Sequence, residues 1–314
     1  MKIRRRHFLS GLLGLLSGAG TLMRGQAVSA PSSNTIEVST VEEFFKAIGS
    51  NRTIRLIGQR YNFSELSPQL QWTNASIREV YDGYELVISG VENLKIESLG
   101  QQPSLLVTEP RYASVLNFEN CRNITVSKIE AGHWPEKGYC NGSVLKFSDC
   151  ENIRVDASVL YGSGTYGVSA YNTLNLSIAN LVIKECTYGI TSLDKVQNFI
   201  ANNCQFYNNI GVMAFIIVRN CPKSIAFKKC EFYENSFDGD YTFSDFFYIE
   251  ESEPILVQNC LIRNNRAGSF ANNPSLVRLV DTQLKNNDFK RDQSNLPELP
   301  PPPNLLPPPS KSSS

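Results

Sequence analysis

Residues 93–96 read Asn93-Leu94-Lys95-Ile96, a polar corner residue followed by an apolar-polar-apolar strand signal. The same pattern returns about every 23 to 30 residues, in six further copies that begin at Asn123, Asn152, Asn175, Asn198, Ser224 and Pro254. Uneven spacing is typical of a solenoid whose turns carry insertions of different size, because a helical repeat keeps a fixed unit length. The sequence therefore predicts a stack of coils.

Two further short strands accompany most of these units. An upstream strand is predicted at residues 116–118, 145–147, 190–193, 246–249 and 276–279, and a third strand at residues 204–206, 230–232, 260–262 and 282–284. Strands of period two, separated by corners rich in Asn, Asp and Cys, argue against a helical hairpin. Three strands per turn predict an all-β fold, a three-faced parallel β-helix over residues 31–290.

Stacking places equivalent residues of neighbouring coils about 4.8 Å apart, so that like side chains form ladders. Corner amides are suited to such ladders, since they hydrogen-bond along the stack and satisfy turn backbone groups. Two asparagine ladders are predicted, one at Asn93, Asn123, Asn152, Asn175 and Asn198, the other at Asn209, Asn235, Asn265 and Asn287.

The two ends of the chain are expected to differ from the coils. Thr40 is a predicted helix N-cap with Glu43 three residues on, and a helix over 40–48 is expected to cover the open first coil within an N-terminal cap of about residues 36–60. The Pro/Ser-rich residues 291–314 are predicted to be a disordered tail.

Residues 1–30 are predicted to be an export signal. The basic run Arg4-Arg5-Arg6-His7-Phe8-Leu9 precedes a weakly apolar segment, Ser10 to Met23, which favours the twin-arginine route and a periplasmic or extracellular location. That segment is shorter than the roughly 20 residues that a membrane span needs, so no span is expected in the mature chain. The 30 basic and 30 acidic side chains leave no net charge, which argues against a nucleic-acid partner.

Eight cysteines are spread over the predicted coils. Cys204, Cys230 and Cys260 share one column, in which three residues cannot all pair, and Cys121 and Cys150 share another. Buried thiols that fill the core are favoured, although a Cys121–Cys150 disulfide stays open. A zinc site is not expected, because CxxC is absent and one of the two histidines lies in the signal.

Residues 36–288 resemble the right-handed parallel β-helix repeat proteins of pectate-lyase-like architecture. The resemblance is most specific at Gly132-His133-Trp134 to Gly142 and at Leu160 to Gly167, loops similar to those of exported bacterial members without a settled activity. It implies a right-handed helix. Activity is not implied, since this architecture hosts lyases, hydrolases, epimerases, adhesins and inert scaffolds.

Four long inserts, residues 99–113, 130–142, 161–167 and 237–245, are expected to leave the coils along one edge. They bring aromatic rings next to carboxylates, a combination that suits a polysaccharide or cell-surface glycan, because rings stack on sugars and carboxylates accept from hydroxyls. The predicted substrate-binding residues are Arg111, Trp134, Tyr139, Tyr161, Tyr188 and Tyr241.

A catalytic role is assigned to a few residues of the same inserts. His133 is the candidate general base and Tyr166 the proton donor, while Glu130 and Glu136 form an alternative pair of hydrolase carboxylates. Calcium is the one cofactor considered, at Asp238, Asp240 and Asp245, with a solvated acidic turn as the alternative because a complete calcium-loop signature is absent.

Two functions remain open. One is a polysaccharide-binding protein that also processes its ligand, as a lyase, hydrolase or epimerase. The other is a non-catalytic scaffold or adhesin of the cell envelope. The outward residues Asn117, Thr125, Lys146 and Arg154 lack neighbouring aspartates and thus depart from the pectate-lyase pattern. The oligomeric state is not predicted.

Overall fold

The computed structural model describes residues 34–81, 83–109, 113–135, 137–138, 141–237, 239 and 241–291. Three long sheets and one short sheet surround an apolar interior, and from residue 52 onwards the chain visits the three long sheets in turn. The predicted export signal lies outside these residues, and so does the predicted tail apart from Arg291. No described helix is both long and apolar enough to cross a membrane.

The first sheet contains the strands that begin the sequence repeat. Its ten strands, in spatial order, are β1 (Asn34–Val38), β2 (Arg52–Leu56), β6 (Glu92–Ser98), β9 (Arg122–Ser127), β12 (Glu151–Asp156), β15 (Leu174–Ala179), β18 (Gln197–Asn202), β22 (Ile225–Lys228), β26 (Ile255–Gln258) and β30 (Val277–Val280).

The second sheet follows the first on each coil and is the face that borders the candidate site. Its nine strands are β3 (Arg60–Asn62), β7 (Ser104–Thr108), β10 (Ile129–His133), β13 (Val159–Tyr161), β16 (Val182–Lys184), β19 (Gln205–Tyr207), β23 (Glu231–Tyr233), β27 (Leu261–Arg263) and β31 (Gln283–Lys285).

The third sheet closes each coil. Its nine strands are β4 (Ala75–Val80), β5 (Gly83–Ser89), β8 (Leu116–Glu119), β11 (Leu145–Ser148), β14 (Tyr166–Tyr171), β17 (Gly189–Asp194), β21 (Ala214–Arg219), β25 (Asp245–Glu250) and β29 (Ser269–Ala271). A short fourth sheet lies between the second and third in the later coils, with strands β20 (Ile210–Gly211), β24 (Ser236–Phe237), β28 (Arg266–Ala267) and β32 (Asp288–Phe289).

The register between strands is parallel, as the repeat predicts. Ile153 of β12 lies between Ile124 and Leu176 of the adjacent strands, and all three side chains are buried. The antiparallel hairpin β4–β5 departs from this parallel pattern, and the repeat gave no sign of it. The all-β parallel β-helix predicted from the sequence is confirmed.

One predicted strand belongs to a different column. Residues 276–279 were assigned to the upstream column, which is the third sheet, but β30 pairs with β26 in the first sheet. The apolar-polar-apolar signal is the same on all three faces, so the assignment rests on counting residues across corners. The count fails here because the corner before β30 contains the short helix Pro274–Leu276.

Both asparagine ladders form. In the outer one, the Asn152 amide donates to Asn123 Oδ1 at 2.9 Å and accepts from Asn175 at 2.8 Å. In the inner one, Asn235 is fully buried and its amide donates to Asn265 Oδ1 at 2.9 Å. One ladder therefore lines the surface of a corner and the other lies inside a corner.

The N-terminal helix caps the stack. Helix α1 (Val41–Ala47) begins after Thr40, whose side chain accepts from the Glu43 amide while the Glu43 side chain accepts from the Thr40 amide. Phe44 is buried on the first coils, 5.4 Å from the ring of Phe63. The other described helices are two 3-10 turns, Phe63–Glu65 and Pro274–Leu276.

The described cysteines fill corners of the core. Cys121, Cys150, Cys204, Cys230 and Cys260 are buried free thiols, and each donates to a backbone carbonyl. Cys221 is also buried and free, and Cys186 is buried. The stacked position of Cys121 and Cys150 is therefore occupied by two thiols.

Candidate functional site

A groove of about 730 Å³ lies where the chain passes from the second sheet to the third, a connection that we call the second corner. The groove runs across several coils rather than into one of them. Its lining residues are Lys137, Gly164, Glu185, Thr187, Tyr188, Asn208, Ile210, Gly211, Val212 and Phe237.

Differences in the length of the second corner create this groove. The corners after β10 and β23 are long, residues 134–144 and 234–244, whereas those after β13 and β16 are short, residues 162–165 and 185–188. The groove is a depression over the coils between the two long corners. Lys137 lies at one end of the depression and Phe237 at the other.

The wall at the Lys137 end depends on a glycine. Gly138 has a φ of +80°, and its amide donates to the Gly162 carbonyl at 2.9 Å. A Cβ on Gly138 would lie 2.6 Å from Cγ2 of Thr187. Glycine therefore satisfies both the left-handed backbone and the close approach to Thr187.

Lys137 and Glu185 form the charged part of the groove. They make an ion pair across two coils, and the Lys137 ammonium also lies 5.9 Å from the centre of the Tyr161 ring. The pair is partly exposed, so it adds little to stability. Its importance for the site is that it presents a donor and an acceptor side by side.

The opposite part of the groove is apolar. The side chains of Tyr188, Ile210 and Val212 are 38%, 40% and 56% exposed, on neighbouring coils. Phe237 forms a buried floor, where Gly211 is required because a Cβ at that position would meet the Phe237 ring at 2.5 Å. Exposed apolar side chains next to polar ones are typical of a ligand site.

A second tyrosine supports Tyr188 from behind. The ring of Tyr166 lies edge-on to that of Tyr188, with centroids 5.7 Å apart and an interplanar angle of 78°. This geometry is favourable for aromatic pairs and fixes the Tyr188 ring. Burial raises the pKa of the Tyr166 hydroxyl, and the neighbouring Tyr188 raises it further.

His133, the predicted general base, lies inside the coil. Its side chain is fully buried, and Nε2 is 2.8 Å from the carbonyl oxygen of Ala113. Burial lowers the pKa of His133 to about 4, although hydrogen bonds to the backbone of Ala113 and Gly162 act in the opposite direction. This environment favours a neutral histidine whose hydrogen bond stabilises the corner.

Two other predicted residues lie on the second sheet beside the groove. Glu130 is half-buried on β10, flanked in register by Leu105 and Val159. Tyr161 is buried on β13, and its pKa is raised to about 12, first by burial and then by the charge of Glu130. Neither residue lines the groove, although Tyr161 contacts Lys137, which does.

Trp134 and Tyr241 lie on the two long corners. Trp134 is 45% exposed, and the guanidinium of Arg60 lies 5.7 Å from its ring. Tyr241 is buried, and its hydroxyl donates to Asp288 Oδ2 at 2.5 Å. The ammonium of Lys290 lies 3.8 Å from the Tyr241 ring, so this tyrosine is held within the last coils.

Four coil steps separate these two corners, a distance of roughly 19 Å along the stack. The expected edge therefore extends over several coils, and Trp134 and Tyr241 do not lie together on it. Residues 99–103 depart further, since they precede β7 and lie at the corner between the first and second sheets. The cause is that inserts differ in which strand they follow as well as in their length.

The carboxylate of Asp245, a candidate calcium ligand, is already hydrogen-bonded to other side chains of the protein. Its carboxylate is buried and accepts from the Ser269 hydroxyl and from Arg291 Nη2, the latter at 2.7 Å. A guanidinium at that distance competes with a cation for the same oxygen. Within the described part of the chain, no cluster of three or more His, Cys, Asp or Glu is arranged to hold a metal ion.

Five predicted site residues lie outside the described part of the chain: Arg111, Glu136, Tyr139, Asp238 and Asp240. Their roles stay predictions.

Sequence reasoning missed several residues that line the groove. Lys137, Ile210 and Val212 line the groove but are not among the residues predicted for the site. A usable signal existed, because Ile210 and Val212 follow Asn209, which belongs to the inner ladder. In the inner ladder, the residue directly after each asparagine is exposed or half-buried, as Ile210 and Arg266 show.

A protein-family model described as a right-handed beta helix region matches residues 142–291. Among solved structures, a pectate lyase, PelN from Paenibacillus sp. 0602, superposes with a TM-score of 0.57 at 10% identity, over 82% of this chain and 79% of that one. A search of curated proteins finds no match.

Two other solved structures are similar at lower scores. Pectate lyase Bsp165PelA from Bacillus sp. N165, in complex with trigalacturonate, has a TM-score of 0.49 at 13% identity, over 93% of this chain and 92% of that one. An alginate lyase from Paenibacillus sp. FPU-7 has a TM-score of 0.45 at 11% identity, over 82% and 98%.

The family-model match, the superposition on PelN and the parallel sheets agree with the fold expected from the sequence. The chain folds as a right-handed parallel β-helix, and this fold is similar to that of the pectate lyase PelN. Structural similarity at identities this low supports the fold only, and a fold alone does not define an activity.

Proposed function

We propose that the protein binds a glycan in the groove at the second corner. The observation that carries this proposal is the amphipathic lining, in which Tyr188 and the aliphatic Ile210 and Val212 face Lys137 and Glu185. An aromatic ring contacts the apolar face of a sugar, while charged and amide groups bond its hydroxyls. The predicted export of the chain agrees with a glycan outside the cytoplasm.

Binding without turnover is the function that this arrangement favours. General acid–base catalysis needs a proton acceptor within hydrogen-bond reach of the ligand. Among the described lining residues, Glu185 is the one carboxylate, and it is paired with Lys137. His133 is buried in the coil. The proposal is therefore closer to the scaffold or adhesin hypothesis than to the enzyme hypothesis.

The proposal is tested by screening the purified protein on a glycan array and measuring affinity for the best ligand by calorimetry. We expect Tyr188→Ala to weaken binding about 2- to 12-fold, since an aromatic contact contributes about 0.5–1.5 kcal/mol. The matched control is Tyr171→Ala, because Tyr171 is a tyrosine of similar exposure, 43%, on the third sheet.

The control variant is expected to bind like the wild type. An array on which no glycan binds would contradict the proposal. Equal affinities of Tyr188→Ala and the wild type for a bound glycan would also contradict it, since the ligand would then lie elsewhere.

A further inference from the structure

A column of aromatic and cationic side chains lies on the outer face of the second sheet, beside the groove. Its members occupy equivalent positions on five consecutive strands, β13, β16, β19, β23 and β27, and we call them the second-sheet column: Tyr161, Lys184, Tyr207, Tyr233 and Arg263. The column spans four coil steps, roughly 19 Å.

Contacts within the column hold its side chains in place. The rings of Tyr207 and Tyr233 stack at 4.8 Å with an interplanar angle of 16°. The guanidinium of Arg263 lies 4.3 Å from the Tyr233 ring, and the ammonium of Lys184 lies 6.0 Å from the Tyr161 ring. Side chains that are already ordered lose little entropy when a ligand binds.

The column and the groove are contiguous. Glu185 and Asn208 line the groove. They directly follow Lys184 and Tyr207, two members of the column. A chain that leaves the groove over Glu185 or Asn208 therefore reaches the column within one residue. The two surfaces together are long in the direction of the stack, which suits an extended polymer.

The charges in this region are unequally neutralised. Lys137 is paired with Glu185, and Arg263 is paired with Glu231 at 2.7 Å. Lys184 differs, because its ammonium contacts the Tyr161 ring and makes no ion pair with any carboxylate of the described residues. It is thus a half-buried positive charge that no carboxylate of the described residues neutralises.

We propose that the second-sheet column extends the glycan site, and that Lys184 makes it selective for chains carrying an anionic group, a carboxylate or a sulfate. This inference rests on the proposed function and deepens it. Tyr207 and Tyr233 bond the chain through their edges and hydroxyls, since each covers one face of the other and Arg263 covers the remaining face of Tyr233. Lys184 pairs with the acidic group.

The test compares ligands that differ only in charge. Calorimetry is run with polygalacturonate and its methyl ester, and with dextran sulfate and dextran. The wild type is expected to prefer the charged member of at least one pair, and the preferred pair identifies the anion. Lys184→Gln is expected to reduce that preference about two- to fivefold, the size of an exposed ion-pair effect, and Lys184→Arg to retain it.

Lys195→Gln provides the matched control, because the Lys195 ammonium lies 5.1 Å from the Tyr171 ring on the third sheet. It is expected to leave the preference unchanged. Tyr207→Ala is expected to weaken binding of the polymer, with folding verified by thermal melting. Equal binding of charged and neutral ligands, or an unaltered preference in Lys184→Gln, would overturn the inference. The proposed function would survive that result if array glycans still bound through Tyr188.

Discussion

Asparagine at the outer corner combines a backbone conformation with a side-chain bond. Asn152 has a φ of 57°, in the left-handed region that asparagine tolerates better than most residues, and its amide links the coils on either side. The sequence predicted the ladder from the repeated register. It did not predict the left-handed backbone. That conformation explains why asparagine, and not glutamine, recurs at this corner.

Substitutions at Asn152 separate these two effects. Asn152→Gly keeps the left-handed backbone and loses the two amide bonds, whereas Asn152→Ala loses the bonds and also strains the backbone. We expect the alanine variant to be less stable than the glycine variant by about 1 kcal/mol in urea unfolding. Equal stabilities would show that the conformation is unimportant at this corner.

The burial of His133 predicts a pH-dependent stability. The folded pKa of about 4 lies below the unfolded value of about 6.5, so protonation favours the unfolded chain. The stability that neutral His133 contributes is complete above pH 6.5 and is lost as the pH falls towards 4. Between pH 7 and pH 5 the free energy of unfolding should fall by about 2 kcal/mol.

Urea unfolding of wild type and His133→Gln at both pH values measures this effect. The variant should lose much less stability over the interval, because a glutamine does not titrate. A wild-type histidine that titrates near 6.5 by NMR would contradict the buried, structural role and would revive the general-base hypothesis.

At the scale of elements, the N-terminal helix was predictable and the hairpin was not. Thr40, Glu43 and the apolar face of α1 are local signals, and local signals identify a cap. The antiparallel pairing of β4 with β5 has no counterpart in the repeat, so the sequence left its direction undetermined. A different ambiguity, the number of residues in the corner before β30, explains why that strand was placed on the wrong face.

Removing the N-cap side chain of α1 tests how much this helix contributes to stability. Thr40→Ala deletes the acceptor for the Glu43 amide and should lower the free energy of unfolding by about 1 kcal/mol. Thr35→Ala, an exposed position on β1, is the control and should change stability little. Similar losses in both variants, measured by thermal or urea unfolding, would argue against a capping role.

At the scale of the whole molecule, the stack determines which predicted residues can act together. Trp134 and Tyr241 lie on long corners roughly 19 Å apart, so they bracket a site and do not share one. The sequence predicted that tyrosines would gather at one edge, and Tyr166 and Tyr188 do lie together there. The groove itself depends on relative corner lengths, which become visible only when the coils are aligned in space.

The central claim is that a glycan occupies the groove at the second corner. The most direct measurement is a crystal structure of the protein with its best-binding oligosaccharide. We expect sugar density against Tyr188, between Lys137 and Phe237. A sugar bound on another face of the coils, with the groove left to solvent, would contradict it.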